Sequence, residues 1–329
     1  MTKIKNILIN NAIYFVLLTL IVVIAIKQPR FLSVIVLRDI MLQNSTRIII
    51  ALGMGLIIIS GGIDLSCGRL VGLSAVIAAS LTQRMDYPVR FYPNMPYLPI
   101  IVPVILCVIA GIIVGTTNGV LITVVRVPPF IGTLATQLLC YGFGLMYYDL
   151  PPNSSQPVGG LRADFTFLGS GFITIVPTIF CIVVVVILAM YVIFNYTNYG
   201  KNVFAIGGNS MAATVSGINV RGTLIITYAF ASALFAFAGM LESARTGGGS
   251  PNYGNMYEFD AIAACVVGGV STTGGVGKVL GIIVGVLIFG IINYGLTFIG
   301  ISPYWQLVFK GVIVASAVGL DVRKYHGKK

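Results

Sequence analysis

Apolar residues dominate this chain in long runs, and its polar positions gather between the runs instead of alternating with them. The runs fall at 11–26, 48–60, 70–81, 101–125, 130–148, 172–194, 223–241, 261–270, 280–298 and 305–320. A hydrocarbon core about 30 Å thick is crossed by about 20 apolar residues in a helix. Each run therefore reads as a crossing, the shorter ones lengthened by their flanks. The pattern predicts an all-α polytopic membrane protein, one domain over residues 1–329 with about ten transmembrane helices, some of them short or broken.

One stretch interrupts the pattern. In "IIIALGMGLIIISGGIDLSCGRLVGLSAVIAAS" the apolar run stops at Gly61 and Gly62, admits Asp64, and resumes after Arg69. Broken helices survive at membrane depth only where protein or a water-filled cavity surrounds them. Gly61 and Gly62 permit such a break or a close helix approach, and Ser66 and Gly68 extend the small-residue surface. Asp64 stands near the start of the next helix, where the dipole favours a negative charge, and Arg69 is its obvious local partner. These positions read as a hinge beside a pathway. Gly268 and Gly269 mark a second weak segment.

A faint repeat runs through the chain. "GTTNGVLITVVRVPPF" carries G-x-x-N at Gly115 and Asn118, and "GIINYGLTFIGISPYW" carries it at Gly290 and Asn293. With five spans per half, matching segments cross in opposite directions, which is a 5+5 inverted repeat. Asn118 and Asn293 join the pathway candidates on that reading.

Composition then narrows the class. Hydrophobic residues make up 57% of the 329 positions and charged residues 9%, with mean hydropathy +0.99. Soluble domains carry about 25% charged residues, so water is not the main solvent here. The net charge of +11 is scattered between spans and forms no stripe for nucleic acid. The positive-inside rule accounts for it better: Lys3, Lys5, Arg323, Lys324, Lys328 and Lys329 put both termini in the cytoplasm, although Lys27, Arg30 and Arg38 then fall outside. The N-terminal run lacks a small-residue cleavage pattern and reads as a retained span. Cys67, Cys107, Cys140, Cys181 and Cys265 lie in or beside apolar runs without metal-ligand spacing, and His326 is the only histidine.

No engine is visible. "GGVSTTGGVGKVLG" brings Gly277 and Lys278 together, but Thr272 and Val279 break the phosphate-loop pattern. A secondary carrier driven by an ion gradient is the alternative; it would bury a relay of acids and bases, and only Lys310 sits well inside a run. A membrane-embedded enzyme lacks a nucleophile, base or metal cluster. The longest inner loop, 195–221, holds "GGNSMAATVSG", where Asn209 can cap a short helix and Gly217 can stop it. So short a helix is stable only when docked.

These stretches resemble the permease subunits of bacterial ATP-binding-cassette sugar importers of the ribose/galactose/arabinose class. The likeness rests on "GGIDLSCGRLVGLSA", "NGVLITVVRVPPFIGTLAT", "GKNVFAIGGNSMAATVSGINV", "DAIAACVVGGVSTTGGVG" and "SPYWQLVFKG" and runs almost end to end. "RIIIALG", "MYYD", "MYEFDAIAACVVGGVS" and "INYGLTFIGISPYWQ" are most like the galactose/methyl-galactoside branch. The resemblance implies a homodimer in the bacterial inner membrane, a periplasmic sugar-binding protein above it and cytoplasmic ATPase subunits below. It places ATP and Mg on the ATPase and no cofactor on this chain. It also implies that Gly207, Gly208, Asn209, Ala212, Ala213, Ser216 and Gly217 form the coupling contact with the ATPase. Members of the class often carry Pro-Glu after the asparagine; Ser210 and Met211 stand there in this chain.

Overall fold

The computed structural model describes residues 12–298, 300–302 and part of 304–315. Lys3, Lys5, Lys310, His326, the C-terminal basic residues and most of the 305–320 run lie outside the described residues.

The helices are α1 (Ala12–Lys27), α2 (Val34–Ile59), α3 (Cys67–Leu81), α4 (Ile101–Thr123), α5 (Pro129–Tyr148), α6 (Ala163–Ser170), α7 (Thr178–Tyr196), α8 (Asn198–Gly208), α9 (Ser210–Val215), α10 (Val220–Thr246), α11 (Tyr257–Val267) and α12 (Val279–Phe298). A two-stranded hairpin, β1 (Phe172–Ile173) and β2 (Val176–Pro177), precedes α7. Among the described residues, six helices are long and apolar enough to cross a membrane: α2, α4, α5, α7, α10 and α12. The chain is thus an all-α, multi-pass membrane protein, and α1, α3 and α11 are shorter than a full crossing.

Two boundaries differ from the hydropathy reading, each for a physical reason. The crossing expected from 48 begins at Val34, where Ser33 caps the Val36 N–H at 3.3 Å. Its polar first half is satisfied by protein: Asn44 and Ser45 donate to carbonyls one turn back, Thr46 donates to Glu242 at 2.8 Å, and Arg47 pairs with Asp260 at 3.5 Å. Hydropathy counts those groups as if lipid were their only alternative. The 172–194 run loses its first residues to the hairpin, whose Ile175 carbonyl receives Arg38 Nε at 3.0 Å.

Long α10 sits at the centre. Methyl groups added at Gly111, Gly115 or Gly119 of α4 would strike α10 at Ser232, Tyr228 or Ile225, so small residues let the backbones close. Those pairs run antiparallel. On the other side α12 lies antiparallel along α2, with Ile282 at Gly55 and Asn44 at Gly290. Helices α2 and α10 also oppose each other, from Thr46 at Glu242 to Gly62 at Tyr228. Thus α4 is to α10 as α12 is to α2, with chain direction reversed.

Candidate pathway and coupling sites

The break after α2 is built by a left-handed stop. Gly61 has φ +86°, its N–H reaches the Ile58 carbonyl at 2.9 Å, and the Gly62 N–H reaches Ile57 at 3.0 Å. Gly62 is a glycine for a second reason: a Cβ there would collide with the Tyr228 hydroxyl, which donates to the Ile63 carbonyl at 3.2 Å.

The chain then turns Asp64 fully inward. Its Oδ1 accepts the Ser66 N–H at 2.8 Å and the Ser66 hydroxyl at 2.6 Å, and Oδ2 accepts Asn118 Nδ2 at 3.3 Å. Asn118 also donates to Ser66 Oγ at 3.0 Å, and its own Oδ1 receives Thr136 at 2.6 Å. Thr133 accepts the Leu65 N–H at 3.1 Å. Three predicted residues, Asp64, Ser66 and Asn118, therefore meet in one buried network that ties the break to α4 and α5. Thr133 and Thr136 belong to it and were not anticipated; their i, i+3 spacing on an apolar helix was the available signal. Every hydrogen-bond partner of Asp64 is neutral. A cleft of about 320 Å³ opens beside Gly61 and Gly62, walled by Pro128, Pro129, Phe130 and Thr272.

One expectation is corrected. Arg69 does not pair with Asp64: it points the other way, donating to Asn255 at 2.9 Å and lying 4.1 Å from the Tyr141 ring centroid. Side-chain direction over the first turn of α3, not separation in sequence, decides this. Asn293 is half-buried on α12, which packs on α2, and its Oδ1 has no hydrogen-bond partner among the described residues. Gly68 is a close-approach glycine as expected, but what approaches is the Glu258 carboxylate and the Gly254 carbonyl.

At the end of the bundle where α2 stops, the loop segment is more ordered than a loop. Thr197 caps α8 through the Gly200 N–H at 3.0 Å, and Val203 and Ile206 bury one face. That T-x-x-G cap and apolar pair were legible and went unread. Asn209 caps α9, accepting the Ala212 N–H at 3.0 Å, and Gly217 at φ +84° closes it with an Ile218 N–H bond to Ala213 at 3.0 Å. Ala213 turns inward and is buried, while Met211 and Val215 are 74% and 83% exposed. Ala212, Ser216, Gly208 and Asn209 share the exposed side.

The segment is seated on α2. Gly207 lies against the Ile59 carbonyl and the Gly275 N–H, with no room for a Cβ, and Gly275 donates to Ile59 at 2.8 Å. Gly274 and Gly275, at φ +86° and +71°, carry the glycine loop past Gly207 and Gly208. The glycine-rich stretch that fails as a phosphate loop is therefore a packing surface.

A bundle of apolar helices, six of the described ones long enough to cross a membrane, makes this a multi-pass membrane protein. Residues 36–318 match the family described as "Branched-chain amino acid transport system / permease component", and the chain belongs to that family. It is 45% identical to the galactose/methyl galactoside import permease protein MglC of Escherichia coli (strain K12), over 97% of this chain and 96% of that one. The MglC protein of Haemophilus influenzae is 46% identical, over 98% and 97%. The ribose import permease protein RbsC of Bacillus subtilis (strain 168) is 36% identical, over 94% and 91%. No solved structure matches the chain.

Proposed function

We propose that the chain is the membrane-spanning subunit of an ATP-driven importer for galactose and methyl galactosides. Two copies form the path in the bacterial inner membrane, with both termini cytoplasmic. A periplasmic binding protein delivers the sugar, and a cytoplasmic ATPase holding ATP and Mg supplies the work.

The observation that carries this reading, besides full-length similarity to import permeases, is the contact of Gly207 with the Ile59 carbonyl. The exposed face of α9 would enter a groove on the ATPase. Movement there passes through α8 to the last turn of α2, two residues before the left-handed Gly61. Backbone contact transmits such a shift without slack, since no flexible side chain intervenes. Asp64 ties the break to α4 and α5, so moving α2 moves the walls beside the cleft. A neutral sugar needs no countercharge along this route.

The test is uptake of labelled methyl galactoside by cells lacking their own galactose permease, supplied with this chain, its ATPase and its binding protein. Uptake should depend on the ATPase and be competed by galactose more strongly than by ribose. Uptake that persists without the ATPase under an imposed proton or sodium gradient would establish a secondary carrier instead.

A further inference from the structure

Polar side chains, some exposed and some half-buried, stand where lipid would be expected. Gln137 and Tyr141 lie in the middle of α5, and at 1.5 Å per residue Gln137 is about 12 Å and Tyr141 about 18 Å along a helix of about 30 Å. Around them cluster Arg69, Asn252, Asn255 and Glu258. The Tyr141 hydroxyl donates to Asn252 Oδ1 at 3.2 Å, and Gln137 donates to Glu258 at 3.4 Å. Both asparagines are exposed, although the segment 247–256 that bears them returns into the bundle along α3, where Gly72 meets the Pro251 and Tyr253 carbonyls.

Hydrocarbon cannot satisfy such groups, so at this depth they face water or protein. Two groups are still unanswered: Glu258 is 3% exposed yet its Oε2 has no hydrogen-bond partner, and neither does the buried Arg69 Nη1. Arg69 and Glu258 are of opposite charge type. What remains is a row of amide dipoles and a tyrosine, suited to a neutral polyhydroxylated ligand and unsuited to an ion. Both asparagines accept through Oδ1, which leaves their NH2 groups to donate.

We infer that Gln137, Tyr141, Asn252, Asn255, Arg69 and Glu258 line the aqueous sugar path, handing hydroxyl groups along at mid-membrane. This rests on the proposed function for the identity of the sugar but not for the presence of water. The experiment uses the assembled importer in membrane vesicles with Asn252→Cys or Asn255→Cys, treated with a membrane-impermeant thiol reagent and read over the wild-type background. Each cysteine should be modified, and uptake should fall at least about tenfold relative to the same variant before treatment. Asn252→Trp should block uptake while the ATPase still co-purifies. Cysteines that stay unmodified in the assembled importer, or modification that leaves uptake unchanged, overturn the inference. If the wild-type chain imports no sugar, the function is refuted, and thiol modification still decides whether this face is wet.

Discussion

The two interruptions of the bundle are built in opposite ways. At 61–66 the chain breaks and then closes on itself: Asp64 is fully buried, and Ser66, Asn118 and Tyr228 satisfy side chain and backbone from three directions. At 247–256 the break is wider and is held by backbone contacts, Gly249 on Ala75 and Gly254 on the Gly68 carbonyl, leaving Asn252 and Asn255 exposed. A break that consumes its own polar groups makes a joint. A break that leaves them outward makes a surface. Two carboxylates show the same contrast: Asp64 has only neutral partners, whereas Glu242 receives Arg245 at 2.5 Å and Thr46 at 2.8 Å and has its charge answered on the spot.

The sharpest way to separate the breaks is to fill their glycines. Gly72→Val should have the largest effect, because its Cβ meets the Pro251 and Tyr253 carbonyls and no side chain can move aside. Overpacking costs about 1–3 kcal/mol when side chains yield and more against backbone, so folded protein should be lost in detergent size-exclusion profiles. A normal profile would mean that 247–256 does not press on α3.

Asp64→Asn comes next. The new amide cannot accept from both Ser66 and Asn118, which leaves one buried polar group unpaired at a cost of about 1–3 kcal/mol. Thermal stability and uptake should both fall without any dependence on an ion gradient. A proton-driven residual uptake would recast Asp64 as a transport acid. Gly61→Ala should cost less, about 1–2 kcal/mol from the left-handed backbone alone, since nothing lies within 4 Å of an added Cβ.

The smallest effect belongs to the first turn of the short helix α6. Partial burial raises the Asp164 carboxyl, but the Tyr97 hydroxyl at 2.6 Å and Arg162 at 3.1 Å outweigh it and hold its pKa below the ordinary aspartate range. A depressed carboxyl stabilises the fold above its unfolded pKa and loses that contribution as pH falls through the folded one. Asp164→Asn should therefore lower stability slightly near neutral pH and flatten its dependence at acid pH. An unchanged acid limb would show that this carboxyl is not linked to folding.

Much of this was legible in residues. Gly61, Asn209 and Gly217 announce their turns because left-handed backbone and side-chain caps are local chemistry. The Asp64–Ser66–Asn118 meeting joined two motifs noticed separately, but which residues close it depends on how α4 and α5 cross, and sequence spacing does not encode that. Arg69 was misassigned for the same reason. The polar start of α2 stayed hidden because hydropathy cannot foresee that Glu242 and Asp260 wait on neighbouring helices.

In the proposed importer, α9 carries the ATPase's motion to the α2 break. Its exposed face, not the buried Ala213, is the place to test it. Met211→Arg with Val215→Arg places charge and bulk on that face while leaving Asn209 and Gly217 to hold the helix. Co-purification of the ATPase, measured beside methyl galactoside uptake, should collapse together with it, and the permease should elute and melt as wild type. Full ATPase retention with normal uptake would contradict the account and send the coupling contact elsewhere.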